Sequence, residues 1–178
     1  MAILQEIDIM ILNMIQTYLH YDFLNSIMIF LSRIGDGGFV WITIGVLFLL
    51  SKKYRKYGFL ILIALGLEAL FVNITLKPLI QRIRPFNINT TIELLIPSPR
   101  DFSFPSGHTA SAFAAATILL YTNRKIAISG MIPASLIAFS RLYLYVHFPS
   151  DIIAGVLIGM ISGWIVMSGY RRWSLKQS

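Results

Sequence analysis

The sequence predicts an all-α integral membrane protein, with about six transmembrane helices in one bundle preceded by a short amphipathic helix. Three observations predict it. Only 13% of the 178 residues are charged, against roughly 25% in an ordinary soluble domain. Mean hydropathy is +0.72. Apolar runs of about 20 residues, the length that crosses a bilayer core, recur along the chain. No Pro/Ser/Gly-rich linker, repeat or low-complexity tract divides it, so one membrane domain over residues 21–178 is expected after a leading helix over residues 1–20.

The leading segment has no Lys or Arg and no small-residue cleavage site. It therefore reads as an amphipathic helix along the membrane surface rather than a cleavable signal peptide, with Glu6, Asp8, Asn13 and Gln16 as its polar part. The stretch 22–51 is interrupted by Gly35-Asp36-Gly37-Gly38, a turn signal that divides it into two short helices, 22–34 and 38–51; Asp36 is read first as shaping that turn and second as bordering the pocket. Residues 57–77, 104–122, 126–145 and 150–169 are each long and apolar enough to span. Basic residues divide nine to six between the two ends: Lys52, Lys53, Arg55, Lys56, Arg124, Lys125, Arg171, Arg172 and Lys176 against Arg33, Lys77, Arg82, Arg84, Arg100 and Arg141. The first set should be cytoplasmic and the second extracytoplasmic. This distribution in short loops also explains the net charge of +7 without nucleic acid. The chain has no cysteine, which excludes disulfides and thiol chemistry.

Three clusters fall at the less basic end. Residues 77–85 carry Lys77 and Arg84 seven positions apart, two helical turns, so that both can point one way. Residues 105–108 are Pro-Ser-Gly-His, opening the next span; Gly107 admits close backbone approach, and the N–H groups of a helix start attract anions. Residues 140–151 hold Ser140, Arg141, His147 and Asp151 across a span junction. Two guanidiniums, an ammonium, two histidines and a carboxylate thus share one membrane face. Taken singly, each has an ordinary explanation: Lys77 and Arg84 as snorkelling cations, PSGH as a helix cap, His147 and Asp151 as a local hydrogen-bonded pair. Jointly they describe a phosphate pocket with acid–base groups inside it. Two histidines and an aspartate also suit zinc, but three cations repel a divalent metal and attract a dianion, so no metal or cofactor is expected.

The ordered set K-x6-R-P, PSGH and SR-x5-H-x3-D resembles the signature of the type 2 phosphatidic acid phosphatase superfamily, which includes membrane lipid phosphatases and soluble vanadium haloperoxidases. The match covers 77–151 and is complete at each signature position; the residues that follow His147 are similar to those of small bacterial members. The resemblance implies that His147 attacks phosphorus to form a phosphohistidine, that Asp151 steadies its ring, and that His108 protonates the leaving oxygen and then activates water. It implies that Lys77, Arg84, Ser106, Gly107 and Arg141 hold the phosphate oxygens without a metal.

The implied substrate is a membrane lipid phosphate or pyrophosphate, with undecaprenyl pyrophosphate first and phosphatidylglycerol phosphate or phosphatidate as rivals. A non-catalytic lipid-binding or transport protein is the alternative of another class, but it needs neither histidine and is expected to show repeated halves. Haloperoxidase chemistry is disfavoured by the spans. Glu68, inside a span, is read as protonated or paired within the bundle. Gly155, Gly159 and Gly163 form a small-residue stripe for packing within the bundle, with a homodimer seam as the second reading. Tyr143 and Tyr145 suit an aromatic belt at the membrane boundary. Asn73 and Asn89 match the glycosylation pattern, one inside a span.

Overall fold

Nine α-helices account for most of residues 2–177, the part of the chain that the structure, a computed structural model, describes. They are α1 (Ala2–Tyr18), α2 (Asp22–Ile34), α3 (Phe39–Leu50), α4 (Arg55–Ala69), α5 (Lys77–Ile80), α6 (Pro85–Ile88), α7 (Gly107–Leu119), α8 (Arg124–Tyr143) and α9 (Pro149–Leu175). A 3-10 turn, Asp36–Gly38, joins α2 to α3, and a π-helical stretch, Leu70–Leu76, joins α4 to α5. The described residues contain no strand, as the sequence predicts.

Three runs are long and apolar enough to cross a membrane: Arg55–Ile88, Arg124–Tyr143 and Pro149–Leu175. A fourth arises if α2 and α3, bent by 51° at the glycine turn, count as one broken span. Gly37 and Gly38 make that bend with φ of 57° and 72°, a left-handed conformation costly for other residues. The remaining short helix is α7, whose 13 residues extend only about 20 Å at 1.5 Å per residue. Six separate full-length spans are thus more than helix length alone supports.

Helix α7 is the axis of the bundle. Every residue from Thr109 to Leu119 is buried, and five of them are alanines, which let neighbouring helices come close. The glycine stripe of α9 lies against it. A Cβ added at Gly159 would sit 2.4 Å from the Ala110 carbonyl oxygen, and one at Gly163 would sit 2.7 Å from Thr117 Cβ. The stripe therefore serves packing within the chain, the first of its two readings.

At one end, the loops carrying the nine basic residues are tied together. The Tyr57 hydroxyl donates to the Tyr121 carbonyl at 2.8 Å, and Arg171 lies over the Tyr121 ring at 4.7 Å. The opposite end holds the three signature clusters and α1. This helix turns Asp8, Leu12 and Ile15 inward and leaves Ile3, Leu4, Ile7, Met10 and Met14 exposed. Three of its polar residues reach the protein, while Glu6 stays exposed: Asp8 is buried, the Gln16 amide donates to the Tyr143 carbonyl at 2.8 Å, and Asn13 accepts from the Tyr145 hydroxyl at 3.1 Å.

Candidate active site

Each charged residue reaches the site through a helix end or a break. The π-helical stretch ends at Leu76, and α5 carries Lys77 for one turn before Gln81, with φ of 49°, stops it. Arg84 therefore arrives on an extended strand of backbone, not two turns along a helix as its spacing suggests. Ser106 is the N-cap of α7, its hydroxyl accepting from the Thr109 N–H at 3.4 Å. Gly107 and His108 form the first turn. Helix α8 ends in a Schellman arrangement, with Val146 N–H on the Arg141 carbonyl and Tyr145 N–H on that of Leu142. Tyr145 occupies the left-handed position there, φ 58°. This abrupt stop turns His147 inward, where it is 1% exposed.

Lys77, Arg84, Gly107, His108, Arg141 and His147 line one cavity of about 390 Å³. Of the predicted phosphate-binding residues, only Ser106 is absent from the wall; it is fully buried, with its hydroxyl turned to Thr109. Arg84 is the best-held cation. It donates to the Val146 carbonyl at 2.6 Å and, through Nε and Nη2, to the backbone and side-chain oxygens of Asp101 at 2.8 and 2.7 Å. Lys77 pairs with the other Asp101 oxygen. Arg141 bonds Ser32, and its buried Nε has no partner among the described residues, a donor suited to an anion.

Arg84 Nη1 lies 3.3 Å from His147 Nε2. A guanidinium can only donate, so Nε2 presents its lone pair and the proton belongs on Nδ1. Nδ1 faces Asp151 Oδ2 at 3.5 Å, long for a hydrogen bond; such contacts tighten when charge develops on the ring. Burial pushes the His147 imidazole down to about 3, with Arg84 and Arg141 acting in the same direction and Asp151 opposing. A neutral ring in contact with cations has the form a nucleophile needs.

Asp151 itself is fully buried. Its Oδ2 accepts from Ser103 Oγ at 2.5 Å and the Phe148 N–H at 2.9 Å, and its Oδ1 from Arg82 at 2.6 Å. His108 Nε2 meets Asp36 at 2.7 Å. Asp36 therefore borders the cavity and engages a site histidine, the second of its two readings rather than the favoured one. Gly35 makes room for this pair, since a Cβ there would sit 3.1 Å from the His108 ring.

The sequence reading passed over Asp101, Ser103 and Arg82. One signal was available for Asp101: three cations in one pocket require a counter-charge, and it is a carboxylate in the loop between the first two clusters. Burial alone would raise its carboxyl, but Lys77 and Arg84 outweigh this and hold it well below the usual carboxylate range. Tyr143 and Tyr145 are corrected too. Both are 1% exposed and bonded to Asn25 and Asn13, as internal struts rather than a membrane belt.

The fold and site together define a helical membrane protein in which His108 and His147 share one cavity with the cations Lys77, Arg84 and Arg141. The chain belongs to the PAP2 superfamily, whose family model matches residues 53–174. It is 40% identical over 143 residues, 80% of this chain and 67% of the relative, to an undecaprenyl-diphosphatase of Sulfolobus acidocaldarius. Its structure is similar to that of LpxE from Aquifex aeolicus, with 28% identity, a TM-score of 0.81 and coverage of 91% of this chain and 95% of the other. It also resembles a transmembrane PAP2-type phosphatidylglycerolphosphate phosphatase of Bacillus subtilis, with 26% identity, a TM-score of 0.78 and coverage of 94% and 86%.

Proposed function

We propose that the chain is a membrane lipid phosphatase that cleaves the terminal phosphate from an isoprenyl pyrophosphate, undecaprenyl pyrophosphate first, through a phosphohistidine on His147. One observation carries the reading: a buried, neutral His147 presents Nε2 beside Arg84 in a cavity lined by Lys77, Arg141 and His108. Nε2 attacks the terminal phosphorus as the bond to the bridging oxygen breaks, and His108 gives that oxygen a proton. His108 then takes a proton from water, whose oxygen displaces Nε2 and releases inorganic phosphate. Lys77, Arg84, Arg141 and the Gly107 N–H balance the charge on the transferring group, the part a divalent metal plays in other phosphoryl-transfer sites.

The substrate's lipid end has a place to go. A second cavity of about 510 Å³ shares Lys77, Gly107 and His108 with the first and continues along Ile42, Leu62, Leu65 and Gly66. Glu68 and Asn73 also belong to its wall, but most of its lining is apolar or glycine, and a phosphate chamber opening onto a largely apolar one suits an amphiphile. The undecaprenyl-diphosphatase relative supports the isoprenyl choice, and the phosphatidylglycerolphosphate phosphatase supports a second, glycerolipid reading. The nine-to-six division of basic residues supports a site on the extracytoplasmic face.

The test is phosphate release by detergent-purified wild type and His147→Ala, with EDTA present and undecaprenyl pyrophosphate, phosphatidylglycerol phosphate and phosphatidate offered in parallel. Wild type should turn over the isoprenyl lipid fastest and the variant should be inactive. Near-normal activity in the variant would sink the nucleophile assignment, and loss of wild-type activity in EDTA would bring back a metal.

A further inference from the structure

The carboxylate behind His147 is held from a direction that the signature motifs do not include. Arg82 Nη1 donates to Asp151 Oδ1 at 2.6 Å and to Ser150 Oγ at 2.7 Å, while Nη2 donates to Asp8 Oδ2 at 2.7 Å. Its guanidinium carbon stacks 4.0 Å from the centre of the Phe148 ring. Asp8 is 1% exposed on α1; it also accepts from the Ser150 N–H at 2.9 Å and from the Ser150 hydroxyl. Helix α1 lies outside residues 53–174, the span of the family match.

We infer that Asp8 and Arg82 are positioning residues for the attacking histidine: Asp8 fixes Arg82, Arg82 fixes Asp151, and Asp151 fixes the ring of His147. The inference rests on the reading of His147 as nucleophile. Charge explains why two residues are needed. Arg82 alone would clamp Asp151 but cancel its field at the imidazole. Asp8 adds a second carboxylate, so Asp8, Arg82 and Asp151 together carry one net negative charge. That charge is available to the ring as Nε2 bonds to phosphorus and the imidazole becomes positive. The fork of a guanidinium reaches Asp8, Ser150 and Asp151 at once, which an ammonium cannot do with the same geometry. Helix α1, whose exposed side is apolar, is thereby tied to the catalytic end of α9.

The test measures kcat and KM for full-length protein in detergent, with undecaprenyl pyrophosphate as the probe. Asp8→Asn, which keeps shape and removes charge, should lower kcat about 10-fold with KM nearly unchanged. Arg82→Gln should lower kcat about 10- to 100-fold, and Arg82→Lys should recover part of that loss. Because both act through Asp151, the double variant Asp8→Asn/Arg82→Gln should be no slower than Arg82→Gln alone, within about twofold. Wild-type kcat in Asp8→Asn, losses that multiply in the double variant, or a change confined to KM would overturn the inference. If Arg82→Gln fails to fold, Asp8→Asn and Arg82→Lys decide by the same split between kcat and KM. His147→Ala in the same assay keeps the two ideas apart. Activity there defeats the nucleophile reading itself, whereas a dead His147→Ala beside a fully active Asp8→Asn defeats only this inference.

Discussion

His147 is buried among Arg84, Arg141 and Asp151, and the environment that keeps it neutral has a measurable consequence for stability. Its folded value of about 3 lies below the ordinary 6.5, so the folded protein refuses a proton that the unfolded chain accepts. Stability from this group is therefore level above about pH 6.5 and declines as pH falls towards the folded value. Between pH 7 and pH 5 the loss should be about 2 kcal/mol, at about 1.4 kcal/mol per unit below 6.5. Thermal unfolding in detergent should show a smaller drop over that interval for His147→Gln than for wild type; equal drops would refute the assignment. Asp101 has the carboxylate form of the same sign. Held low by Lys77 and Arg84, it favours the folded state above its unfolded value and stops doing so only in strong acid. At this scale the meeting of Lys77, Arg84, Gly107, His108, Arg141 and His147 in one cavity, with Asp151 behind His147, was legible, because their motifs sit at helix ends. Asp101 was not, because its partners are distant in sequence and only folding supplies them; Asp36 could be read two ways, and its contact with His108 decided between them.

Helix elements show which small residues matter. Gly159 and Gly169 both lie in α9, but a Cβ at Gly159 would strike the backbone of α7 whereas one at Gly169 meets nothing within 4 Å. Gly159→Ala should cost about 1–3 kcal/mol through forced separation of α7 and α9. Gly169→Ala should be neutral or stabilise by about 0.4–1 kcal/mol, since helical backbone tolerates alanine there. Unfolding midpoints of the two variants would check this, and equal effects would contradict the packing described. The glycine stripe was visible in the sequence as a four-residue repeat. The π-helical stretch before Lys77 and the break at Gln81 were not, because Lys77-x6-Arg84 fits an unbroken helix equally well. Gln81 takes a left-handed φ of 49° there, which a glutamine does not favour locally, and the two arginines that follow it, Arg82 and Arg84, are held by distant carboxylates.

For the whole molecule, the separation of basic residues from the site end predicts sidedness. The chain has no cysteine, so single cysteines can report it directly. In intact cells, Thr91→Cys should react with a membrane-impermeant maleimide and Lys53→Cys should not until the membrane is opened. The reverse pattern would place the site in the cytoplasm. Helix number is a property of this scale too. Hydropathy reads every apolar run as a possible span, whereas α7 is only 13 residues and buried by the helices around it.

The sequence by itself determined that this protein lives in a bilayer, that it is helical, and that His108, His147, Lys77, Arg84, Arg141 and Asp151 meet at one end. These follow from composition, from the length of apolar runs and from motif positions at their ends, all of which are local properties. Only the tertiary structure decided which groups restrain those residues: Asp101 on Lys77 and Arg84, Asp36 on His108, and Asp8 with Arg82 on Asp151. Such contacts join residues far apart in the chain, and their energies depend on burial and on distances of a few ångströms, which no spacing rule along a sequence can fix.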